Sequence, residues 1–181
     1  MPNPSCAASA DSLQYGRTRP LREMQLLDAP PTSPTTRTAA PLTTERVALD
    51  RFDEVRALNE AIFGESRVIH RLDRDDLTIL VARRDGRAVG FKVGYGESRM
   101  TFYSAKGGVL PEARRHGVAR ALLAAMQAEA RRLGYARFAF DTFPNKHPGM
   151  TVLGLGAGFT VVAAGYNAAY RDYRIRFEQD L

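Results

Sequence analysis

The sequence has no tryptophan, a single cysteine and only three lysines among its 181 residues. The one thiol, that of Cys6, can form no internal disulfide and supply no multi-thiolate metal site, which excludes a disulfide scaffold and a zinc ribbon. No stretch reaches the roughly 18 consecutive apolar residues that a membrane-spanning helix requires, so no such helix is expected. These absences are typical of a protein of the reducing cytoplasm, and a cytoplasmic location is our expectation.

Positive charge is carried almost entirely by arginine. The chain has 23 arginines beside the three lysines, and its formal net charge is +6. This balance favours an anionic partner. The arginines are spread along the chain without interleaved aromatic residues, so nucleic acid is not the expected partner.

Residues 1–44 differ in composition from the rest of the chain. They hold seven of the ten prolines and eleven serines or threonines, with no sustained apolar periodicity. Such a segment buries too little apolar surface to fold, so we predict a disordered leader followed by one domain over residues 45–181. The leader faintly resembles an organellar transit peptide but lacks the apolar region of a secretory signal. An untargeted tail and a wrongly chosen start codon are the alternatives.

The rest of the sequence alternates between helical and strand patterns. Apolar residues at helical spacing predict helices over 53–63, 117–133 and 148–157. Alternating, β-rich segments, the first two joined by an Asp-Gly turn, predict strands over 77–82, 88–95, 101–110, 135–141, 159–164 and 173–177. Two adjacent glycines, Gly107 and Gly108, predict a bulge or a close backbone approach in the third strand. The order of elements indicates a mixed α/β sheet.

The junction between the third strand and the second long helix carries the clearest chemical signal. It runs from Val109 to Ala119 and reads VLPEARRHGVA. N–H groups at a helix start have no intrahelical acceptor, and the helix dipole adds positive charge there. With the basic pair before Gly117, the segment predicts an anion cradle suited to a diphosphate. Neither common phosphate-loop signature fits, which disfavours a nucleotide-triphosphate enzyme.

The V-x-P turn that begins at Val109 and the R-x-x-G-x-A run that begins at Arg114 closely resemble the acetyl-CoA signature of the GNAT N-acetyltransferase superfamily. The order of elements agrees, and the A-G-F sequence at Ala157 looks like the superfamily's helix-to-strand junction. The resemblance implies a single GNAT-like α/β domain. Its sheet would be mixed, mostly antiparallel and twisted, with six to seven strands flanked by helices and a V-shaped split between the two central strands.

The resemblance also implies where acetyl-CoA, the acyl donor, binds. The pantetheine arm would lie in the split against the backbone of Val109 and Leu110, within reach of Asn145. A main-chain N–H there would hold the thioester oxygen as it becomes an oxyanion, and loss of one such donor costs about 2.7–4 kcal/mol. The diphosphate would be bound by the loop and the helix start. The backbone N–H groups would come from Arg115, His116, Gly117, Val118 and Ala119, and the positive charge from Arg114, Arg115 and Arg120.

The implied reaction needs a base, because a protonated amine cannot attack until it loses a proton. Glu65 is the first candidate, since the corresponding region of related enzymes lines the acceptor side; a solvated loop carboxylate is the alternative. Asp141, which ends a strand beside the split, is the second candidate, with surface ion pairing as its alternative. Tyr103 is placed to order water or substrate, or else packs in the core.

The sequence leaves several candidates for the general acid. In many GNAT enzymes it is a tyrosine five residues before the phenylalanine of the junction, and that position is Gly154 here. The proton for the departing CoA would come from water or from Tyr166, or none is supplied, because a thiolate with a pKa near about 8.5 leaves tolerably unaided. The three histidines show no metal spacing, and no metal is expected.

We therefore expect an N-acetyltransferase that transfers an acetyl group from acetyl-CoA to a primary amine by direct attack on the thioester. A non-catalytic acyl-CoA-binding sensor or interaction module is the alternative. The amine acceptor is not readable, since small metabolites, polyamines, peptide N-termini and lysine side chains all qualify. No membrane partner is expected, and a homodimer is open because many relatives dimerise.

Overall fold

The computed structural model describes residues 41–181, so the predicted leader lies almost wholly outside the described residues. In this part of the chain, seven strands and three helices follow one another: β1 (Thr43–Arg46), α1 (Phe52–Phe63), β2 (Thr78–Arg84), β3 (Arg87–Gly96), β4 (Thr101–Val109), α2 (Val118–Arg132), β5 (Arg137–Thr142), α3 (Pro148–Gly156), β6 (Thr160–Asn167) and β7 (Asp172–Asp180). Every predicted helix and strand is present within a few residues of its predicted bounds. Besides two short 3-10 helices, Leu49–Arg51 and Pro111–Ala113, the unpredicted element is β1, which begins two residues before the predicted domain boundary at residue 45.

The seven strands form one sheet in the order β1-β2-β3-β4-β5-β7-β6. β4 and β5 run parallel, and every other neighbouring pair is antiparallel. This arrangement confirms the predicted mixed, mostly antiparallel sheet flanked by helices. No helix of the described residues is both long and apolar enough to cross a membrane.

Each face of the sheet carries its own apolar core. Leu80 belongs to one core and its neighbour Val81 to the other, and successive side chains of a strand point to opposite faces. On one side, which we call the α1 face, Val55 of α1 is buried with Val81. On the other, the α2 face, the predicted apolar stripe of α2 is buried and includes Leu122 and Met126. The helices thus cover both faces and leave the interior strands β4 and β5 at the centre.

The predicted V-shaped split lies between β4 and β5. The two strands pair only from Thr101 with Arg137 to Ser104 with Phe140. β4 continues to Val109, and along residues 105–109 it has no partner on the β5 side within the described chain. A gap therefore opens at the centre of the sheet, towards the carboxyl ends of both strands.

The bulge in β4 lies earlier than the adjacent glycines suggest. Val93 of β3 pairs with Lys106 while Gly94 pairs with Ser104, so Ala105 is the extra residue. Gly108 instead serves a close approach, because a Cβ there would lie 2.9 Å from Cγ2 of Ile62 on α1. Of the two interpretations of the glycine pair, the structure supports the close backbone approach.

Candidate active site

The start of α2 presents backbone N–H groups to solvent. Gly117 precedes the helix with φ of 79°, a left-handed conformation that favours glycine. The first helical hydrogen bond runs from the N–H of Ala121 to the carbonyl of Gly117 over 3.0 Å. The N–H groups of residues 118–120 lie before that bond, and no described side chain caps them. We call these three groups the α2 amide cluster; together they form a cradle for an anion.

Two arginine side chains hold the loop before α2 in place. Nε of Arg114 donates to the carbonyl of Val109 over 3.1 Å. Arg84, at the end of β2, donates from its guanidinium to the carbonyl of His116 over 3.0 Å. Arg115 has φ of 65°, an unfavourable value for a residue with a Cβ, and these two hydrogen bonds hold the loop on either side of it. Arg84 was not anticipated from the sequence, because its distance in sequence from the loop conceals the contact.

The side chains expected around a diphosphate are distributed around this cradle. Arg114, Arg115, His116 and Arg120 are exposed, whereas Val118 is buried in the core of the α2 face. The imidazole of His116 makes no hydrogen bond to a described side chain, and its carbonyl is taken by Arg84. The positive groups at the cradle are therefore the α2 amide cluster and the exposed arginines.

Two backbone N–H groups of β4 point into the split. The N–H of Leu110 donates to the carbonyl of Val89 over 2.9 Å, so Leu110 belongs to a hydrogen-bonded pair of the β3–β4 ladder. Bonded and non-bonded pairs alternate along an antiparallel ladder. Val109 and Gly107, which pair with Gly90 and Lys92, therefore turn their N–H groups towards the split. The N–H of Leu110 is engaged within the sheet, while Gly107 offers a donor that the sequence did not single out.

Tyr103 and Asp141 meet on the α1 face beside the split. The hydroxyl of Tyr103 donates to Oδ2 of Asp141 over 3.2 Å. Burial, together with the charge of Asp141, raises the pKa of Tyr103 well above its ordinary value, so the phenol stays protonated. The Asp141 side chain is only 12% exposed, and its Oδ1 is buried without a hydrogen-bond donor among the described residues. One carboxylate oxygen is thus held in place by Tyr103, and the other is buried without a hydrogen-bond donor from the described residues.

Asp141 belongs to a charged cluster that spans β5, β7 and the end of β3. Arg174 lies 3.4 Å from Oδ2 of Asp141, and Arg176 lies 3.8 Å from Oδ1. Arg176 also pairs with Glu97 and Glu178, and its pKa is raised chiefly by the hydrogen bond to Glu97. Arg137 in turn pairs with Glu178 and Asp180, so three arginines face four carboxylates and the network carries one net negative charge.

Glu65 takes part in a different set of contacts. Its carboxylate accepts a hydrogen bond from Nζ of Lys106 over 2.7 Å, and its side chain is 59% exposed. Lys106 lies on β4, directly after the bulge, and its Nζ also reaches the carbonyl of Arg67 over 3.2 Å. The side chain of Asn59 donates to backbone carbonyls of the same loop, at Glu65 and Arg67. Glu65 is therefore placed at the rim of the α1 face, without a hydrogen bond to Tyr103 or Asp141.

The segment after β5 connects the two sides of the split. Nδ2 of Asn145 donates to Oδ1 of Asp172 over 2.7 Å, and the N–H of Tyr173 donates to the same oxygen. The ring of His147 meets that of Phe63, at the end of α1, edge to face with centroids 6.1 Å apart. Asn145 thus anchors this segment to β7 through its amide nitrogen.

Gly154, at the position of the usual tyrosine, lies in α3 against the core of the α2 face. A Cβ there would lie 2.8 Å from Cζ of Phe140. Phe140 is almost completely buried, so this ring cannot move aside readily. Tyr166, the alternative acid, lies on the edge strand β6 and packs against Tyr173 with ring centroids 5.5 Å apart.

No group of three His, Cys, Asp or Glu residues in the described range is arranged to hold a metal ion. His70, His116 and His147 lie in three separate loops. The residues around the split provide the α2 amide cluster, the strand N–H groups of Val109 and Gly107, and the carboxylate of Asp141 on the α1 face.

The family model of the acetyltransferase (GNAT) domain matches residues 45–146. None of the curated proteins is a significant match. Among solved structures, an IAA acetyltransferase from Bacillus cereus superposes with a TM-score of 0.66 at 15% identity, over 78% of this chain and 100% of that one.

Two further solved structures share the fold. The ribosomal-protein-S18-alanine N-acetyltransferase from Escherichia coli gives a TM-score of 0.64 at 12% identity, over 77% of this chain and 94% of that one. A GNAT family acetyltransferase from Elizabethkingia anophelis with acetyl-CoA bound gives 0.63 at 14% identity, over 77% and 98%. At these identities the likeness is one of fold.

Proposed function

Because the chain belongs to the GNAT acetyltransferase family, we propose that it transfers an acetyl group from acetyl-CoA to a primary amine by direct attack on the thioester. One observation carries the proposal: β4 loses its partner strand after Ser104, and the same strand leads directly into the uncapped α2 amide cluster. A long donor with an anionic end thus finds strand N–H groups along its arm and a cradle at its diphosphate.

Donor binding is assigned to the backbone rather than to a single side chain. The α2 amide cluster would hold the diphosphate, and the exposed Arg115 and Arg120 would add positive charge. Space for a ligand is available at Gly117, where a Cβ would meet no atom within 4 Å. In the split, the N–H groups of Val109 and Gly107 would bind the pantetheine arm and the thioester oxygen. A fixed donor at that oxygen stabilises the charge that develops during attack.

Asp141 is the better supported of the two carboxylates proposed as the base. Its Oδ1 is buried, lacks a hydrogen-bond donor in the described chain and lies beside the split. Glu65 is exposed and bonded to Lys106, which suits it to the rim of the acceptor site. Tyr103 would fix the orientation of Asp141, since its protonated hydroxyl binds the other carboxylate oxygen.

The amine binds next to Asp141, loses a proton to the carboxylate or to water, and attacks the thioester carbon with its lone pair. The C–N bond forms, the electron pair of the carbonyl moves onto the oxygen held by strand N–H groups, and the intermediate collapses. The electron pair on the oxygen then re-forms the carbonyl, the C–S bond breaks and its electron pair stays on sulfur. The nitrogen loses its second proton to water, and an amide and the CoA thiolate leave.

The charge of the site favours an acceptor that arrives as a cation. The ion-pair network around Asp141 has four carboxylates and three arginines, so its net negative charge attracts an ammonium group before deprotonation. Structural relatives are named for acceptors as unlike as IAA and the alanine of a ribosomal protein, so the fold itself does not select the acceptor. A primary amine, in a small molecule or a peptide, is the class we propose.

A non-catalytic acyl-CoA sensor is the second candidate, and Gly154 is the observation that favours it. An enzyme and a sensor would both bind acetyl-CoA, and both would have a higher melting temperature in its presence. Only an enzyme would release CoA faster when amines are added. The test is therefore thiol release from acetyl-CoA across a panel of amines, with the melting temperature followed in parallel. Protection by acetyl-CoA without amine-dependent release would establish the sensor and refute the enzyme.

A further inference from the structure

Lys92 is a buried lysine without a role in the proposed reaction. It lies in the middle of β3, is 7% exposed, and makes no hydrogen bond or ion pair with any described residue. Its cross-strand partners are Leu80 on β2 and Gly107 on β4. Burial alone lowers its pKa from 10.5 to about 8, with no charged group contributing. A cation on a largely buried side chain without an ionic partner is unfavourable, so its presence suggests a function.

The side chain of Lys92 leans towards β4, the strand that borders the split. Paired residues of a ladder have Cβ atoms about 4.5–5.5 Å apart. Cγ of Lys92 lies only 3.2 Å from the place that a Cβ of Gly107 would occupy, so the stem passes over Gly107. Gly107 belongs to the stretch of β4 without a partner on the β5 side, and its own N–H points into the split. A stem that leans over Gly107 allows the ammonium end to reach the place proposed for the thioester.

The proposed reaction lacks a proton donor at the sulfur. The position that many family members fill with tyrosine is Gly154, and Phe140 leaves no room for a side chain there. Tyr166 lies on the edge strand β6, beyond β7 in the sheet order. Lys92 lies on β3, so it is on the β4 side of the split, whereas Tyr166 is on the β5 side.

We propose that Lys92 is the general acid of the acetyl transfer, and that its ammonium group donates a proton to the sulfur of CoA as the C–S bond breaks. The electron pair of that bond forms the new S–H bond, CoA leaves as a thiol, and Lys92 is left as a neutral amine. A proton from solvent then restores the ammonium. This inference rests on the proposed function, because it needs an acetyl thioester in the split.

The ammonium group of Lys92 and the thiol of CoA have similar acid strengths, which suits proton transfer between them. A general acid works best when its pKa lies near the working pH, and a thiol has a pKa near about 8.5. Lys92, with a pKa of about 8, is mostly protonated at neutral pH and is close in strength to the thiol that it would protonate. The neighbours on its face are apolar, among them Leu80 and Leu122, so no described carboxylate competes for the proton.

The test compares Lys92→Met and Lys92→Arg with the full-length wild-type chain, using acetyl-CoA and the best amine found. We expect kcat to fall about 100-fold or more in both variants, with the KM for acetyl-CoA little changed. The wild-type kcat should decline above an apparent pKa near 8, and this decline should be absent from the residual activity of Lys92→Met. Arginine keeps the charge but does not give up its proton, so it separates proton donation from attraction of the thiolate.

Leu80→Met is the matched control, because Leu80 lies opposite Lys92 in the same core and touches no proposed ligand. Its kcat should equal that of the wild type. Normal kcat in Lys92→Met or in Lys92→Arg would overturn the acid role while leaving the acetyltransferase intact. A wild-type kcat without an alkaline decline would overturn it even if both variants failed to fold. An inactive wild type would instead refute the proposed function, and the acid role with it.

Discussion

The hydroxyl of Tyr103 donates a hydrogen bond to Oδ2 of Asp141 over 3.2 Å, across β4 and β5 just where the two strands separate. The contact holds the carboxylate in one orientation and leaves its buried Oδ1 without a donor from the described residues. A fixed carboxylate beside a gap in the sheet is an arrangement suited to binding an ammonium group and receiving its proton.

Replacement of Asp141 by asparagine should reduce kcat/KM for the amine about 100-fold or more, because the amide accepts no proton and attracts no ammonium group. The affinity for acetyl-CoA should stay the same, since the α2 amide cluster is untouched. Steady-state kinetics with the amine as the varied substrate measure the effect, and thermal unfolding checks the fold.

Glu65→Gln is the comparison for that variant. Because Glu65 is exposed and bonded to Lys106, we expect its replacement to lower turnover much less than that of Asp141. A loss at Glu65 equal to or larger than that at Asp141 would reverse the assignment and return Glu65 to the base role that the sequence first suggested.

The anion cradle can be tested by two replacements of Gly117 that differ in charge alone. Both Asn and Asp tolerate the left-handed backbone at this position, where φ is 79°. Gly117→Asp would place a carboxylate against the site proposed for the diphosphate, so its Kd for acetyl-CoA should be at least about tenfold weaker than that of Gly117→Asn. Calorimetry with acetyl-CoA measures both values. Equal affinities for the two variants would show that the diphosphate binds elsewhere.

Arg84 should contribute to donor binding although it need not touch the donor. Its guanidinium holds the carbonyl of His116 and so positions the loop before α2. Arg84→Met should raise the KM for acetyl-CoA about three- to tenfold, the range expected for one lost hydrogen bond, with a smaller change in kcat. Arg87→Met is the matched control, because Arg87 pairs with Arg84 across the hairpin and is exposed. A similar rise in KM for Arg87→Met would show that the loss of one positive charge, and not the loss of the hydrogen bond to His116, weakens donor binding.

Local patterns account for the parts of this fold that the sequence predicts well. The hairpin of β2 and β3 follows from an Asp-Gly turn between alternating segments, and α2 follows from its apolar stripe. The loop before α2 is recognisable because its residues are consecutive. The split itself was expected from the resemblance rather than from any pattern in β4.

Long-range pairing accounts for what the sequence does not predict. β1 has four residues, Thr43–Arg46, and follows directly on a Pro- and Thr-rich segment, so no periodicity marks it. Its stability comes from β2 and from Glu45, which pairs with Arg83 and Arg51. The contact between Tyr103 and Asp141 likewise joins residues 38 positions apart, and only the folded sheet brings them together.

Two truncations test how far the folded domain extends. A chain that begins at residue 41 keeps β1, so its melting temperature should match that of the full chain. A chain that begins at residue 47 loses β1, the contacts of Glu45, and the ion pair of Arg46 with Glu129, and should melt several degrees lower. Equal melting temperatures for both truncations would show that β1 adds nothing to stability, and a lower value for the first would assign structure to residues 1–40.

The contribution of Lys92 to stability changes with pH, and its sign follows from the lowered pKa of its ammonium group. The pKa of Lys92 is about 8 in the folded chain and 10.5, the ordinary value, in the unfolded chain. Between pH 8 and pH 10.5 the unfolded chain therefore binds more protons. Stability therefore rises with pH across this window, and below pH 8 the folded chain bears the full unfavourable term of about 3 kcal/mol. Lys92→Met removes that term.

The variant should thus be more stable than the wild type at pH 7, by up to about 3 kcal/mol, and the difference should shrink towards zero near pH 10.5. Urea unfolding at pH 7 and pH 10 measures both values, with Leu80→Met as a control whose difference from the wild type should not change with pH. A Lys92→Met variant that is less stable at pH 7 would mean that the ammonium group has a stabilising partner. A gain in stability together with a loss of turnover would mean that the buried charge is retained for the reaction at the expense of the fold.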